Sequence, residues 1–107
     1  MDIQEGIKTT MTGQDLSQEE ISSVMNQILT GSASEAQIGA FLVSLSIKGE
    51  SVDEVIGSAQ VMRKLSSKVS VNRVNLVDTC GTGGVGSGIF NVSTTAACVA
   101  SPCGPTV

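Results

Sequence analysis

Three times along this chain a serine is followed three residues later by Glu or Gln at the head of an apolar stretch: Ser17 with Glu20, Ser34 with Gln37, and Ser51 with Glu54. Each pair is a capping box, in which the serine hydroxyl accepts from the third helical amide and the Glu or Gln side chain accepts from the serine amide. Two amides that a helix start leaves unpaired are thereby satisfied, so three helices are predicted to begin there. After Ser17 the apolar residues Ile21, Val24, Met25, Ile28 and Leu29 fall on one amphipathic stripe, and Gly31 stops the helix. The next helix runs from Glu35 to about Lys48. Its Ile38, Phe41, Leu42, Val43, Leu45 and Ile47 wrap most of the circumference, which marks it as the central, buried helix. Gly49 ends it and Ser51 opens the following one at once, with Val52, Val55, Ile56, Ala59, Met62 and Leu65 expected to face the core. Ile3, Ile7 and Met11 predict a shorter leading helix before a turn at Thr12 and Gly13. Short connections make this a compact α-helical bundle over residues 1–70.

Beyond Lys68 the pattern changes. Val69, Val71, Val74, Leu76 and Val77 are too rich in β-branched residues to continue the bundle, and a strand is predicted from Val74 to Asp78. Consecutive apolar residues suit a parallel strand covered on both faces. Five glycines then fall within Gly81 to Gly88, which makes a loop. Ser93 or Thr94 can cap a helix through Val99 and Ala100, which Pro102 terminates. Strand, glycine-rich loop and helix form the start of an α/β domain over residues 71–107.

The remaining composition excludes several partners. Six Lys and Arg against ten Asp and Glu give a net charge of −4, and the cations are scattered from Lys8 to Arg73 without forming a stripe, which argues against nucleic acid and anionic membrane. Only Phe41 and Phe90 are aromatic, too few to stack bases. No apolar run approaches a membrane span, and Asp2 and Glu5 stand where a signal peptide would be basic, so a cytoplasmic location is expected. Cys80, Cys98 and Cys103 have neither histidines nor paired spacing to make a zinc site. Cys80 and Cys98 read as reduced thiols used as small hydrophobes, while Cys103 has odder surroundings.

A loop between a strand and a helix start, with glycines removing side chains from one wall, lets several amides converge on one anion, and phosphate is the obvious guest. Asn91, Ser93 and Thr94 add polar groups at the same end. A flexible linker would use the same glycines and serine, but placement after an apolar strand favours the anion site. No lysine follows the glycines as a Walker loop demands. Gly81, Gly83 and Gly86 match the dinucleotide fingerprint only weakly, because the helix signal begins several residues later. No paired carboxylates or nucleophile dyad accompany the loop, and Asp78 reads as a buried strand-end cap.

From Asp78 to Thr94 the chain reads Asp-Thr-Cys-Gly-Thr-Gly-Gly-Val-Gly-Ser-Gly-Ile-Phe-Asn-Val-Ser-Thr and closely resembles the anthranilate phosphoribosyltransferases. Gly-Gln-Asp-Leu-Ser from Gly13, Ala-Gln-Ile-Gly-Ala-Phe-Leu from Ala36 and Ile-Lys-Gly-Glu from Ile47 extend that resemblance through the helical part. It implies transfer of a phosphoribosyl group from phosphoribosyl pyrophosphate to the amino nitrogen of anthranilate, with release of pyrophosphate, help from Mg2+, and a homodimer through the helical domain. By position, Gly81 and Gly84 would present the loop backbone to the donor and lie near the anthranilate side. Asn91, Val92, Ser93 and Thr94 would wrap the diphosphate, and Ser93 would also be a magnesium ligand.

Three departures accompany the resemblance. Val85 stands where the family has aspartate and Ile89 where it has threonine, so these substrate-binding positions lose polar contacts and weaker donor binding is expected. The run Thr-Gly-Gly-Val-Gly also occurs in pyrimidine nucleoside phosphorylases, whose architecture is similar, although Asn91 to Thr94 favour the transferase. Finally, Ser101 to Val107 replace the family's second strand and its Lys-His-Gly-Asn-Arg run, as a truncation or a shifted reading frame would. A lone parallel strand would lack a ladder partner, and the chain by itself is expected to be catalytically inactive. The rival from another class is a helical dimerisation module with an unstructured glycine tail.

Overall fold

Four capping boxes, one more than the serine pattern singles out, set the helix starts in the first part of the molecule. The computed structural model describes residues 1–71, 74–83 and 90–107, which divide into two units, Met1–Ser67 and Lys68–Val107. In the first unit α1 (Ile3–Met11), α2 (Gln18–Leu29), α3 (Glu35–Lys48) and α4 (Val52–Leu65) follow one another. The amides of Ser17, Ser34 and Ser51 donate to Glu20, Gln37 and Glu54 at 2.9, 2.9 and 2.7 Å, and the serine hydroxyls accept in return at 3.3, 3.2 and 3.3 Å. Asp2 and Glu5 make the fourth box at α1. No helix among the described residues is long and apolar enough to cross a membrane.

The core of this unit joins Ile3, Leu16, Ile21, Val24, Phe41 and Leu45, with Met1, Ile7, Met25, Ile28 and Ala33 packed against it. Burying a side chain such as Phe41 or Ile21 contributes about 1.5–3 kcal/mol. α1 packs on α3 and α2 on α4. Thr10 of α1 and Ser44 of α3 share a buried hydrogen bond of 2.7 Å between their hydroxyls, in which one donates to the other while the acceptor's own proton goes to a carbonyl of its helix, Gly6 for Thr10 or Phe41 for Ser44.

Two expectations are corrected here. α3 is not buried all round: Phe41, Ser44 and Leu45 face inward, while Leu42, Val43 and Ile47 are exposed. α4 turns a different face inward from the one its apolar pattern predicts. Glu54, Gly57 and Val61 are buried, and Val52, Val55, Ile56, Met62 and Leu65 are exposed. The reason is close approach. A Cβ on Gly57 would lie 2.7 Å from the Gln18 carbonyl of α2, so only the face carrying that glycine lets the two backbones meet.

Glu54 faces inward because partners surround it. Its Oε1 accepts from the Leu16 amide at 2.9 Å, and its Oε2 accepts from the Ser51 amide at 2.7 Å and from Lys48 Nζ at 2.9 Å. Lys48 also donates to Asp15 at 2.6 Å and to the Gly49 carbonyl at 2.8 Å. Burial alone would push the Glu54 pKa up, but the hydrogen bonds from Lys48, Ser51 and Leu16 together hold it below the ordinary carboxylate value. Burial likewise pulls Lys48 down, and its bonds to Asp15 and Glu54 more than reverse this, so its pKa is raised. This cluster ties the α1–α2 connection to the corner between α3 and α4.

In the second unit the predicted strand contracts to one rung. Leu76 forms a parallel bridge with Thr106, the Val77 amide donating to the Thr106 carbonyl at 2.8 Å and the Thr106 amide to the Asn75 carbonyl at 3.0 Å. The expected absence of a ladder partner is thereby corrected: the tail supplies one, and the pairing extends no further among the described residues. Helix α5 (Val92–Ala100) follows, then a 3₁₀ turn at Ser101–Cys103 that contains Pro102. No described residue of this unit is fully buried. Cys80, Cys98 and Cys103 are free and exposed, which overturns the reading of Cys80 and Cys98 as packed small hydrophobes.

Candidate functional site

The chemistry-bearing residues of the second unit lie where the backbone leaves the bridge and where α5 begins. Asn91, rather than Ser93 or Thr94, caps α5. Its Oδ1 accepts from the Thr94 amide at 3.0 Å, and its carbonyl accepts from the Thr95 amide and hydroxyl at 3.2 and 2.9 Å. Asparagine ranks above threonine as a cap, and here it also outcompetes the serine two residues on. Val92 and Ser93 are then the first helical residues, and among the described residues their amides find no partner. Those amides stand at the positive end of the helix.

Gly81 approaches this helix start. A Cβ on Gly81 would lie 3.3 Å from Ser93 Oγ, closer than most side-chain contacts, so a glycine lets the loop backbone come near the hydroxyl. Ser93 is half-buried and its hydroxyl makes no hydrogen bond to a described residue. Asp78 is exposed, in contrast to the buried cap expected, and its Oδ1 accepts from the Cys80 amide at 2.8 Å. Asp78, Cys80, Ser93 and Thr94 line a cavity of about 310 Å³ together with Val77, Thr79, Ala97 and Val107.

Of the residues singled out from the sequence, Gly81 and Ser93 are in close apposition, and Asn91 and Thr94 are joined through the cap. Val92 occupies the first helical position with its side chain about half exposed. Gly84, Val85 and Ile89 lie outside the described residues. Thr79, Ala97 and Val107 were not legible as lining residues. Ala97 follows Ser93 by one helical turn, a signal that could have found it, whereas Val107 reaches the cavity only through the bridge at Thr106.

A larger cavity of about 590 Å³ lies between α1 and α3 in the first unit, against Met11, Ala40, Val43 and Ile47. It carries no free chemistry. Thr10 and Ser44 bond each other, and the Lys48 ammonium is taken by Asp15, Glu54 and the Gly49 carbonyl. Among the described residues no group of three acidic, Cys or His side chains could hold a metal ion by itself.

Comparison with known proteins agrees with both halves of the chain. The helical bundle domain of a glycosyl transferase family matches residues 4–66, more than half of the chain, and the α/β domain of a glycosyl transferase family matches residues 73–107. The chain belongs to this family. Relatives named anthranilate phosphoribosyltransferase are similar throughout: that of Saccharophagus degradans is 52% identical over 104 residues, that of Teredinibacter turnerae 53%, and that of Hahella chejuensis 56%. Each alignment covers 97% of this chain and 30% of the relative. The chain thus spans about 30% of the length of the relatives it matches, and within the family it corresponds to the helical bundle and the opening of the α/β domain.

Proposed function

We propose that these residues contribute the phosphoribosyl donor site of an enzyme that transfers phosphoribose from phosphoribosyl pyrophosphate to the amino nitrogen of anthranilate. Pyrophosphate leaves as the new carbon–nitrogen bond forms, a step of tryptophan biosynthesis carried out in the cytoplasm. The observation that carries this reading is the apposition of Gly81 with Ser93 at a helix start whose first amides, those of Val92 and Ser93, have no partner among the described residues. Such a junction accepts an anion. Relatives about half identical to this chain bear the name of that reaction.

In this reading Gly81 and Gly84 present loop backbone to the donor, and Asn91, Val92, Ser93 and Thr94 surround the diphosphate. Val85 and Ile89 replace polar contacts of the family pattern. Mg2+ fits the site as a companion of the diphosphate. Ser93 offers one half-buried neutral oxygen without a partner among the described residues, and Mg2+ commonly takes one or two protein oxygens with the rest from phosphate and water. When bound, the ion supplies charge neutralisation for the departing pyrophosphate. The chain's own part is to bind and orient the donor. Since the described residues hold no paired carboxylates beside Ser93, we assign these 107 residues to donor binding rather than to turnover. We also infer that the helical unit pairs with a second copy, because Met11, Val43 and Ile47 present an exposed apolar surface around the α1–α3 cavity.

The test is a titration of the isotopically labelled chain with phosphoribosyl pyrophosphate and magnesium chloride. The amides of Gly81 and of Asn91 to Thr94 are expected to shift together and to saturate. Silence from all of them would remove the reading.

A further inference from the structure

Asp78 has no part in the donor chemistry just described, and a carboxylate beside an anion site calls for a reason. Its Oδ1 accepts from the Cys80 amide at 2.8 Å, which folds residues 78–80 into an Asx turn. Upstream, this turn is anchored by the bridge, through the Val77 amide on the Thr106 carbonyl at 2.8 Å and the Thr106 amide on the Asn75 carbonyl at 3.0 Å. Downstream, the next residue is Gly81, whose backbone stands so near Ser93 that a Cβ would lie 3.3 Å from the hydroxyl. Asp78, Thr79 and Cys80 are therefore all that separates the rung, fixed at the Val77 amide, from the contact between loop and helix at Gly81. Among the described residues, two hydrogen bonds restrain that step: the short one from the Cys80 amide to Asp78 at 2.8 Å and a weak one from the Cys80 thiol to the Gly81 carbonyl at 3.5 Å, of which only the first fixes the backbone before Cys80.

We propose that Asp78 is a positioning residue of the donor site. By holding the Cys80 amide it sets the direction in which Gly81 meets Ser93, and by occupying that amide it keeps a phosphate from docking one residue early on the loop. The carboxylate acts as an acceptor, not as a charge. Its negative charge opposes a diphosphate, and an uncharged oxygen in the same place would serve as well. This inference rests on the donor-site reading above, and one arm of its test needs no ligand.

The experiment compares the 107-residue chain with Asp78→Asn, which keeps the accepting oxygen, and Asp78→Ala, which removes it. In the free protein, Asp78→Ala should move the Gly81 and Ser93 amide resonances and speed solvent exchange at the Cys80 amide, while Asp78→Asn should leave all three near wild type. Unmoved Gly81 and Ser93 resonances in Asp78→Ala overturn the proposal without reference to any ligand. With phosphoribosyl pyrophosphate and magnesium chloride as the probe, Asp78→Ala should bind about three- to tenfold more weakly, the equivalent of one hydrogen bond, and its Cys80 amide should begin to respond. Asp78→Asn should bind as tightly as wild type or more so. An equal loss in both variants assigns the effect to charge and refutes the acceptor role, and a wild-type Cys80 amide that shifts more than Gly81 does the same. A wild-type chain that ignores the probe overturns the donor-site reading and the role of Asp78 within it. Because Asp78 is exposed, the unfolding transition of the helical unit serves as the folding control.

Discussion

Adding one methyl group at position 57 should destabilise the helical unit, although the same change favours helix formation almost everywhere else. A Cβ on Gly57 would lie 2.4 Å from Ile21 Cγ2, 2.7 Å from the Gln18 carbonyl oxygen and 3.1 Å from Ser22 Oγ. Carbon atoms in comfortable contact stand about 3.5–4.0 Å apart. Ile21 is fully buried and cannot swing aside, and Gln18 contributes main chain, so α4 would have to retreat from α2 by several tenths of an ångström. Overpacking of this kind costs about 1–3 kcal/mol, and alanine recovers about 0.5–1 kcal/mol relative to glycine within a helix. With approaches as short as 2.4 and 2.7 Å the overpacking falls in the upper part of that range, about 2–3 kcal/mol, and the net loss is about 1–2.5 kcal/mol. At roughly 4–8 °C per kcal/mol for a unit of this size, Gly57→Ala should lower Tm by about 4–20 °C. Gly39→Ala is the control, because no atom lies within 4 Å of its Cβ position and only the propensity gain remains. It should raise Tm by about 2–8 °C. Thermal melts followed by far-ultraviolet circular dichroism read both. A Gly57→Ala melt at or above wild type, beside a normal rise in Gly39→Ala, would refute the close approach of α2 and α4.

Glu54 makes stability fall in acid: its folded pKa lies below the ordinary 4.5, so its contribution is complete above that pH and is lost as pH falls through the folded value. Glu54→Gln should flatten that part of the profile and cost roughly 1–3 kcal/mol at pH 7, below the ~3–5 kcal/mol of a buried charge left alone, because Asp15 still faces Lys48. An unchanged acid limb in denaturant titrations run from neutral pH to below 4.5 would reject this account. Pairing of the helical unit is read by light scattering, where Ile47→Glu, at a side chain 83% exposed, should preserve helicity and leave only monomer. A wild-type chain that stays monomeric at high concentration, or a dimer indifferent to Ile47→Glu, rules out this surface.

The helix starts are legible in the sequence because a capping box is closed by residues three apart and needs nothing from the rest of the fold. The box at Asp2 and Glu5 has the same form, with aspartate in place of serine. The inward face of α4 is not legible by the same logic. Hydrophobic periodicity points to Val52, Val55, Ile56, Ala59 and Met62, but the contact with α2 is decided by a missing side chain at Gly57 and by the partners that Lys48, Ser51 and Leu16 bring to Glu54. At the site, the helix over Val92–Ala100 is readable, while the choice of Asn91 over Ser93 and Thr94 is a competition among adjacent capping residues. The bridge between Leu76 and Thr106 joins residues thirty positions apart and leaves no local trace. Gly84, Val85 and Ile89 remain sequence expectations, since they fall outside the described residues.

How this site could hold a diphosphate follows from what residues 74–107 lack. Every Lys and Arg of the chain lies at or before Arg73, so the loop and α5 contain no cation to face the phosphates. A helix start offers about 0.3–1 kcal/mol to an adjacent charge, and the neutral hydroxyls and amides of Ser93, Thr94 and Gly81 add hydrogen bonds of about 0.5–1.5 kcal/mol each. Asp78 works in the opposite direction. On the proposed reading, residues 74–107 orient a diphosphate without offsetting its charge, so for the 107-residue chain the neutralising charge is expected to arrive with the ligand. In the titration of the 107-residue chain, the response of Gly81 and of Asn91 to Thr94 should therefore vanish when magnesium is replaced by a chelator. Equal affinity with and without the ion would show that other cations of the chain face the phosphates, and the arrangement argued here would be wrong.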